Sequence, residues 1–416
     1  MTVLAETAPP QAAMQTRAGA FERWAGALCV AQCSEPFFNA LAQAQGLTQA
    51  PGYARLAWAP AALFLGWAFW RDRRAIVAAL ARAPLLAGLF ALALSSALWS
   101  IDPGATARRC VWLALTMGVG FYLATRPSWR AMLAILARAW ALMAAGAAAL
   151  AIFAPQIGVM PQEHPGAWSG LWTHKNMLGA IMAAGAPIGV AAVLALGQRR
   201  WFVLAAACFA LVLLSTSKTS LLAVVLGAGA LSAGVIVRRG PLQALTLGFV
   251  AAAGALVLGG VMMLAPEALV TLIGRDLTFT GRTDIWAAAA QASAARPWLG
   301  YGYGAFWADE NGPVFFLREA VGWLAPSAHN GWLELMLGVG RVGLAVFALN
   351  FLLTLWRAAR ALRDPVAGLW APAFCAAFAL YTLSESHILE SGNIFWTLYV
   401  AVSARLALDG RKERIT

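Results

Sequence analysis

The sequence has few charged residues. Asp, Glu, Lys and Arg make up 12% of its 416 residues, and 61% of the residues are hydrophobic. Soluble globular proteins carry about 25% charged residues. Apolar runs close to the roughly 20 residues that cross a bilayer recur along the chain. This scarcity of charge excludes a simple set of soluble domains and predicts a polytopic membrane protein.

Cysteine is also scarce, and the chain lacks the pattern of a cleaved signal peptide. The five cysteines are odd in number and lie mostly inside apolar runs, so they are expected to pack as small apolar side chains, not to form a disulfide framework or a metal site. The first 24 residues contain no compact apolar core followed by a small-residue cleavage site. The cysteines are Cys29, Cys33, Cys110, Cys208 and Cys375.

The apolar segments predict an all-α fold of about twelve transmembrane helices. Glu35 and Pro36 interrupt the first segment, so the count is eleven if that segment does not span the membrane. The predicted spans are 24–45, 54–70, 79–99, 108–125, 131–154, 174–197, 201–216, 219–237, 243–264, 331–356, 366–384 and 393–408.

These spans divide the chain into five predicted regions. A cytoplasmic tail (1–23) precedes nine helices (24–264). One large periplasmic loop (265–328) follows, then three further helices (329–408) and a short cytoplasmic tail (409–416). Loops beyond about 15 residues are usually functional or disordered, and this one contains two stretches that predict short helices.

The basic residues predict the orientation. Cytoplasmic loops are enriched in Lys and Arg, and every second connection here is basic, so those connections and both termini are predicted to be cytoplasmic. The net charge of +12 then indicates contact with anionic lipid at the inner surface, not with nucleic acid. The basic residues are Arg71, Arg73, Arg74, Arg126, Arg130, Arg199, Arg200, Arg238, Arg239, Arg357, Arg360, Arg363, Arg411, Lys412 and Arg414.

The opposite side carries all the histidines. Lys175 and Lys218 fall on the same side. A chain with only four histidines that places them all on one membrane face suggests an outward-facing site, although polar residues also collect at membrane interfaces for other reasons. The histidines are His164, His174, His329 and His387.

The long loop and the helix after it have distinctive sequences. TDIWAAAAQASAARPWLG and PVFFLREAVGWL predict two short helices over the outer mouth of the bundle. Between them, GYGYGAFW (300–307) offers aromatic faces to a sugar ring or forms an interfacial aromatic belt. A helix from Asn330 to Trp356 would be about 40 Å long, so it must project outward or break near Gly338 and Gly340.

Five stretches carry a resemblance to a known family. WSIDP, GLWTHKNMLG, STSKTS, TGRTDIW with PWLGYGYGAFW, and AHNGWLELMLGVGRVG occur in that order. Together, over roughly residues 90 to 400, the chain resembles the O-antigen ligase and polymerase superfamily, and its motifs are most similar to the exopolysaccharide polymerases. It departs from the ligases at Lys218, where they often have arginine. Arg341, a charge inside the glycine motif, has no role in this pattern.

The resemblance implies a GT-C-like glycosyltransferase of the bacterial inner membrane, with its active site facing the periplasm. The implied donor is an undecaprenyl-diphosphate-linked oligosaccharide. The implied acceptor is a glycan hydroxyl, or lipid A–core in a ligase, and a chain-length regulator is a further expected partner. The sequence shows no DxD-like pair on the outer face, so we expect no metal and no cofactor, with cationic side chains neutralising the diphosphate.

The resemblance also implies roles for particular residues. His329 is the predicted catalytic base, because histidine has an ordinary pKa of about 6.5, and Arg282 is the predicted first ligand of the diphosphate. The alternatives are a histidine that bonds nearby backbone at a helix start and an arginine paired with Asp284 or Asp276. The further predicted diphosphate ligands are Lys218, Lys175, Arg108 and Arg109.

A second group is predicted to contact the sugars. His174 and Asn176 would orient sugar or phosphate oxygens, or else cap the helix that begins there. A weaker prediction places the acceptor near Glu385, His387 and Glu390. The predicted substrate-binding residues are His174, Asn176, Asn330, Glu334, Tyr301, Tyr303 and Trp307.

Three other functions compete with a polymerase. A ligase would use the same donor chemistry to transfer a finished polymer. A transporter or lipid-linked glycan flippase would place ionisable groups near the bilayer midplane and often show internal repeats, but here the charges cluster at the outer face. A scaffolding membrane protein would not need the outward cluster of His, Lys and Arg.

Overall fold

The computed structural model describes residues 19–36, 52–161, 164–250, 282–308 and 311–410. These residues form helices, with one isolated bridge between Val159 and Trp168. Short 3₁₀ segments precede α2 and follow α3 and α12, and a single helical turn follows α5. The helices are α1 (Ala20–Gln32), α2 (Ala59–Arg82), α3 (Pro84–Ser95), α4 (Pro103–Thr125), α5 (Trp129–Phe153), α6 (Lys175–Leu196), α7 (Trp201–Leu214), α8 (Lys218–Val237), α9 (Pro241–Val250), α10 (Arg282–Ala295), α11 (Pro313–Val321), α12 (Gly331–Arg360), α13 (Ala367–Ser384) and α14 (Ile394–Asp409).

Most of the long helices lie close to predicted apolar segments, and the described residues are those of an all-helical membrane protein. The prediction was wrong at α2, which continues as helix to Arg82 through the predicted cytoplasmic connection at 71–78, and α1 ends at Gln32. Among the described residues, five helices are long and apolar enough to cross a bilayer: α5, α6, α8, α12 with its 3₁₀ extension, and α13. The bent pair α2–α3 makes a sixth if it counts as one span, although its halves meet at 90°. The full count of twelve stays a prediction. Parts of the first and ninth segments, the loop up to residue 281 and most of both tails lie outside the described residues.

Described basic residues of the predicted cytoplasmic connections, among them Arg71, Arg126 and Arg130, lie at one end of the bundle, here called the basic end. Arg126, just after α4, is buried and forms ion pairs with Glu22 of α1 and Asp72 of α2. Arg405 of α14 donates to the carbonyl oxygen of Pro127 at 2.6 Å. The opposite end, here called the histidine end, brings together the segments 99–109, 164–175, 215–218, 282–308, 311–329 and 385–393.

Small residues let the central helices approach closely. In α6, Cβ atoms added at Gly185 and Gly189 would lie 2.6 Å from the sulfur of Cys208 and 2.8 Å from the backbone nitrogen of Ala205, both in α7. Membrane helices commonly pack through small residues in this way. All five cysteines are buried and free, which agrees with their predicted role in packing.

The helix α12 breaks at Gly340, as its length predicts. Gly340 has φ +66°, and the break exposes carbonyl groups that accept hydrogen bonds from the glycine–aromatic loop. The nitrogen of Tyr301 donates to Leu337 at 2.8 Å, and that of Gly302 donates to Gly338 at 3.0 Å. The break also accounts for Arg341: its nitrogen donates to Pro297 at 2.8 Å, and its guanidinium lies 5.6 Å from the ring centre of Trp298.

The two short helices predicted in the long loop are confirmed as α10 and α11. They pack against the loop and the start of α12 through a separate apolar cluster. This cluster fixes the loop over the histidine end. Its buried members are Ile285, Ala289, Tyr301, Phe306, Val314, Leu317, Ala325, Ala328 and Leu337.

Replacing Gly340 by alanine is expected to destabilise the fold by roughly 3 kcal/mol. The added Cβ would lie 2.2 Å from the carbonyl oxygen of Trp298, and φ is positive. A denaturant titration in detergent measures the change. Gly229→Ala is the matched control, because nothing lies within 4 Å of its Cβ position. Equal stability of the two variants would contradict the prediction.

Candidate functional site

Glu385 joins the two residues predicted to be catalytic. Its Oε2 lies 3.2 Å from Nδ1 of His329, and its Oε1 lies 3.0 Å from Nη2 of Arg282. Arg282 also donates from Nη1 to the carbonyl oxygen of Ser384, the last residue of α13. Arg282 begins α10, His329 lies two residues before α12, and Glu385 directly follows α13. The site therefore depends on tertiary packing.

The backbone at His329 is held in an unusual conformation. His329 has φ +48°, a region that residues other than glycine seldom adopt and that clusters at functional sites. The carboxylate of Glu334 accepts from the nitrogen of Ala328 at 2.6 Å, and Asn330 caps α12 by accepting from the first-turn nitrogens at 3.0 and 3.3 Å. Asn330 and Glu334 therefore position His329, and their predicted direct contact with substrate stays a prediction.

The electrostatics favour an ionised Glu385. Its burial acts to raise the pKa of the carboxyl, but the hydrogen bond from His329 and the charge of Arg282 act more strongly, and the pKa is lowered. An ionised carboxylate only accepts hydrogen bonds. Nδ1 of His329 is therefore assigned as the donor, which leaves Nε2 to accept a proton when the ring is neutral.

A polar cavity of about 220 Å³ lies beside this group. Ser327 and Ser386, which neighbour His329 and Glu385 along the chain, form part of its wall. The cavity wall therefore includes chain neighbours of His329 and Glu385, whereas His329, Glu385 and Arg282 themselves are not among its lining residues. The remaining lining residues are Arg109, Tyr303, Gly304, Trp307, Pro326, Glu334, Leu335, Gly338, Val339, Ile388, Leu389, Glu390 and Ser391.

Arg109 reaches this cavity because Gly304 has no side chain. Gly304 has φ +66°, and an added Cβ would lie 2.3 Å from Cδ of Arg109. Trp307 donates from Nε1 to Glu334 at 2.7 Å, and Tyr303 is buried in the wall, where burial raises the pKa of its hydroxyl. The structure therefore brings four predicted residues to one cavity: Arg109, Tyr303, Trp307 and Glu334. Arg108, one position earlier on α4, is exposed and lies outside its lining.

Tyr301 differs from the other aromatic residues of the loop. Its ring is buried in the apolar cluster of the loop, and its hydroxyl donates to the carbonyl oxygen of Ala292 at 2.8 Å. This position gives Tyr301 a packing role and does not support its predicted contact with substrate.

Replacing Tyr301 by phenylalanine is expected to lower the free energy of unfolding by about 1 kcal/mol, because one internal hydrogen bond is lost. If the predicted glycan transfer takes place in the neighbouring cavity, its rate is expected to stay within about twofold of wild type, because no contact with substrate is lost. Unfolding and transfer assays on the same preparation measure both. A much lower rate at unchanged stability would restore the predicted role in substrate binding.

A second group of predicted residues lies where the starts of α6 and α8 meet. His174 caps α6, because its Nδ1 accepts from the nitrogen of Asn176 at 3.2 Å. Nζ of Lys175 donates to the hydroxyl of Thr216 at 3.2 Å. The capping alternative for His174 is thus the one that the structure shows, and the segments THKN and STSKTS are neighbours.

Lys218 is exposed at the first position of α8. Two residues later, Ser220 lies against the hydroxyl of Tyr381 in α13. The carbonyl oxygen of the same Tyr381 accepts a hydrogen bond from the backbone nitrogen of Glu385 at 2.8 Å. Lys218 therefore lies on a helix that packs beside the Glu385 group. A single pocket that combines Lys175, Lys218 and Arg282 stays a prediction.

The weaker acceptor residues take three different places. Glu385 forms the bridge described above, and Glu390 lines the cavity with its side chain about half exposed. His387 is buried and stacks on Phe395 at a centroid distance of 4.5 Å. Asn393 donates to Glu390 at 2.6 Å and shapes this turn.

The bridging role of Glu385 was missed at the sequence level. Its signal is an acidic residue directly after an apolar helix, on the same predicted face as His329 and Arg282. From the sequence alone, Glu385 was placed only among the residues near the acceptor sugar, because it lies more than 50 residues from both His329 and Arg282. Within the described ranges, no group of three or more His, Cys, Asp or Glu side chains is placed to hold a metal ion.

Comparisons with known proteins match this part of the chain. The model of the O-antigen ligase family Wzy_C matches residues 202–348. Exopolysaccharide production protein ExoQ of Rhizobium meliloti (strain 1021) is 28% identical over 307 residues, which cover 66% of this chain and 67% of ExoQ. The family match includes Arg282, His329 and the loop over the cavity, whereas Glu385 lies beyond it.

Proposed function

We propose, from the premise that this chain belongs to the O-antigen ligase and polymerase superfamily, that it joins lipid-linked repeat units into a surface polysaccharide. The proposed donor is a glycan on undecaprenyl diphosphate, presented at the periplasmic side of the bacterial inner membrane. The observation that carries the proposal is the contact of one carboxylate, Glu385, with both His329 and Arg282 beside a polar cavity.

In the proposed reaction, an acceptor hydroxyl oxygen forms a bond to the anomeric carbon of the donor sugar. The bond from that carbon to the diphosphate oxygen breaks, and the electron pair leaves with the lipid diphosphate. The hydroxyl proton passes to Nε2 of His329, while Glu385 holds Nδ1 at 3.2 Å and stabilises the resulting imidazolium. This arrangement follows the general pattern of a base oriented by a carboxylate.

Arg282 is proposed to neutralise the leaving diphosphate. Arginine has five N–H donors in a planar fork that matches phosphate oxygens. Two of its nitrogens contact Ser384 and Glu385 and fix the plane of the guanidinium. Positive charge fixed before the reaction stabilises the transition state without reorganisation. Lys175 and Lys218 are proposed to hold the diphosphate on the neighbouring helices.

Arg282→Lys is expected to lower the transfer rate about tenfold, because lysine keeps the charge but cannot reproduce the bidentate geometry. The measurement is kcat with lipid-linked donor at saturation. Arg296→Lys is the matched control, because Arg296 directly follows the helix that Arg282 begins. Arg296 contacts Tyr301 and Trp99 instead of Glu385. Equal losses in both variants would point to a general effect on the loop.

The cavity beside His329 is proposed to hold the acceptor sugar. Arg109 and Glu390 offer groups that hydrogen-bond sugar hydroxyls, and the ring of Trp307 offers an apolar face. Its volume of about 220 Å³ suits about one sugar ring. The name of ExoQ, an exopolysaccharide production protein, supports the polymerase, and the description of the matched family supports the ligase.

The test uses purified protein in nanodiscs with polyprenyl-diphosphate-linked repeat units and no other acceptor. A ladder of longer lipid-linked glycans is the expected result and identifies a polymerase. Product that forms only after lipid A–core is added identifies a ligase. If neither condition yields product from the organism's own glycan, the glycosyltransferase proposal is wrong and a transporter becomes the better hypothesis.

A further inference from the structure

A groove at the basic end lies far from the cavity described above. It runs between α1, α5 and the start of α7 and has a volume of about 530 Å³. Its lining combines two cationic, two indole and two aliphatic side chains: Trp24, Arg138, Ala141, Leu142, Arg200 and Trp201.

Two arginines of this groove share one aromatic ring. The guanidinium carbon of Arg200 lies 4.9 Å from the ring centre of Trp201, and that of Arg138 lies 6.0 Å from the same centre. Arg138 also lies 5.7 Å from the ring centre of Trp24. Two like charges are therefore held close together by the aromatic side chains, which is unfavourable unless an anion lies between them.

Neither arginine forms an ion pair with a carboxylate of the described residues. Their hydrogen bonds in this part of the structure go to neutral groups: Arg138 donates to the carbonyl oxygen of Ala134 at 2.6 Å, and Arg200 donates to Gln198 at 2.8 Å. Other arginines at the basic end have acidic partners, as Arg126 does. Arg138 is partly buried within a helix that crosses the membrane, where an uncompensated cation is costly.

The surroundings of the groove favour an anion that comes from the membrane. The guanidinium of Arg138 donates a hydrogen bond to the carbonyl oxygen of Ala134, one helical turn closer to the start of α5. Its charge therefore points towards the basic end. Exposed apolar side chains flank the groove, among them Leu28, Leu142 and Phe202. Tryptophan pairs are typical of the membrane interface, and basic pockets between helices on the cytoplasmic side bind anionic headgroups.

We propose that this groove binds the phosphate of an anionic phospholipid of the inner leaflet. The phosphate lies between the guanidinium groups of Arg138 and Arg200, the indoles of Trp24 and Trp201 flank the headgroup, and the acyl chains contact Leu28, Leu142 and Phe202. The lipid supplies a counter-charge that the described residues of the groove do not provide. This site is independent of the proposed transfer reaction at the histidine end.

The test compares three forms of the full chain in detergent: wild type, Arg138→Gln/Arg200→Gln, and the control Arg74→Gln/Arg363→Gln. The control removes the same charge from two exposed arginines of the basic end that do not line the groove. Each form is titrated with phosphatidylglycerol, with phosphatidylcholine of the same acyl chains, and with inorganic phosphate. Native mass spectrometry counts bound lipid, and thermal unfolding reports stabilisation.

The expected result is that wild type and control retain one phosphatidylglycerol in preference to phosphatidylcholine, and that the affinity falls at least tenfold in Arg138→Gln/Arg200→Gln. Arg138→Lys/Arg200→Lys, which keeps the charge, is expected to retain part of the preference. If the double glutamine variant does not yield folded protein, Arg200→Gln, at an exposed position, is expected to show at least a threefold loss.

Three results would overturn the proposal. One is equal affinity for phosphatidylglycerol in wild type and in Arg138→Gln/Arg200→Gln. Another is equal retention of the two lipids by wild type, because the charge of the headgroup would then not be recognised. The third is full displacement of phosphatidylglycerol by millimolar inorganic phosphate, because the groove would then be a site for a soluble anion.

Discussion

His329→Ala is expected to lower the rate of glycan transfer by about 10²- to 10⁴-fold, the range that a positioned general base contributes. In the structure, Nδ1 of His329 is engaged by Glu385, so Nε2 is the nitrogen that remains to take the hydroxyl proton. Alanine leaves no group to take the hydroxyl proton. The measurement is the initial rate of ladder formation from lipid-linked repeat units, with binding of the donor measured separately.

The control for this variant is His164→Ala. His164 is also a histidine of the histidine end, but it is exposed and lies 5.7 Å, centroid to centroid, from the capping residue His174. It is expected to retain nearly full activity. Donor binding by His329→Ala should stay close to wild type, because the predicted diphosphate ligands are unchanged. Comparable rates for wild type and His329→Ala would remove His329 from the proposed mechanism.

The helices of this protein could be predicted from the sequence with good accuracy. The predicted spans 174–197 and 331–356 lie close to the observed helices Lys175–Leu196 and Gly331–Arg360, whereas the predicted connection at 71–78 is helical in α2. The length of α12 predicted either an outward projection or a break near Gly338 and Gly340, and the structure shows the break at Gly340. Such features depend on local composition and on the fixed rise of a helix, so they need no knowledge of tertiary contacts.

The site itself was predicted only in part, because its geometry depends on contacts between distant segments. The sequence chose His329 and Arg282, but the carboxylate between them comes from a turn more than 50 residues away. The role of Arg341 could not be predicted, because it depends on the hydrogen bond from its backbone nitrogen to the carbonyl oxygen of Pro297 at the break of α12. For His174, capping and ligand binding use the same residue type, and only the hydrogen bond to Asn176 distinguishes them.

Glu385→Gln is expected to lower the transfer rate roughly 10²-fold, although Glu385 does not touch the acceptor in the proposed mechanism. The amide can still contact Arg282, but it no longer supplies the negative charge that orients the neutral tautomer of His329 and stabilises its protonated form. KM for the donor is expected to change little, because the cations that bind the diphosphate remain. Steady-state kinetics separate kcat from KM and identify Glu385 as a positioning residue.

The difference in stability between wild type and Glu385→Gln is also expected to depend on pH. The pKa of Glu385 is lowered in the folded protein, because the contacts with His329 and Arg282 outweigh the effect of burial. A lowered pKa adds stability that is present above the unfolded pKa, about 4.3 for Glu, and is lost as the pH falls through the folded value. Wild type should therefore exceed Glu385→Gln in stability at pH 7, and the difference should shrink below about pH 4.

Glu390→Gln provides the comparison, because Glu390 is about half exposed and accepts a hydrogen bond from Asn393. Its effect on the reaction should appear in KM for the acceptor. The two glutamates lie five residues apart on one turn, so a general distortion of that turn would affect both variants alike. A kcat defect in Glu385→Gln together with a pH-independent stability difference would mean that Glu385 does not act through its charge on His329.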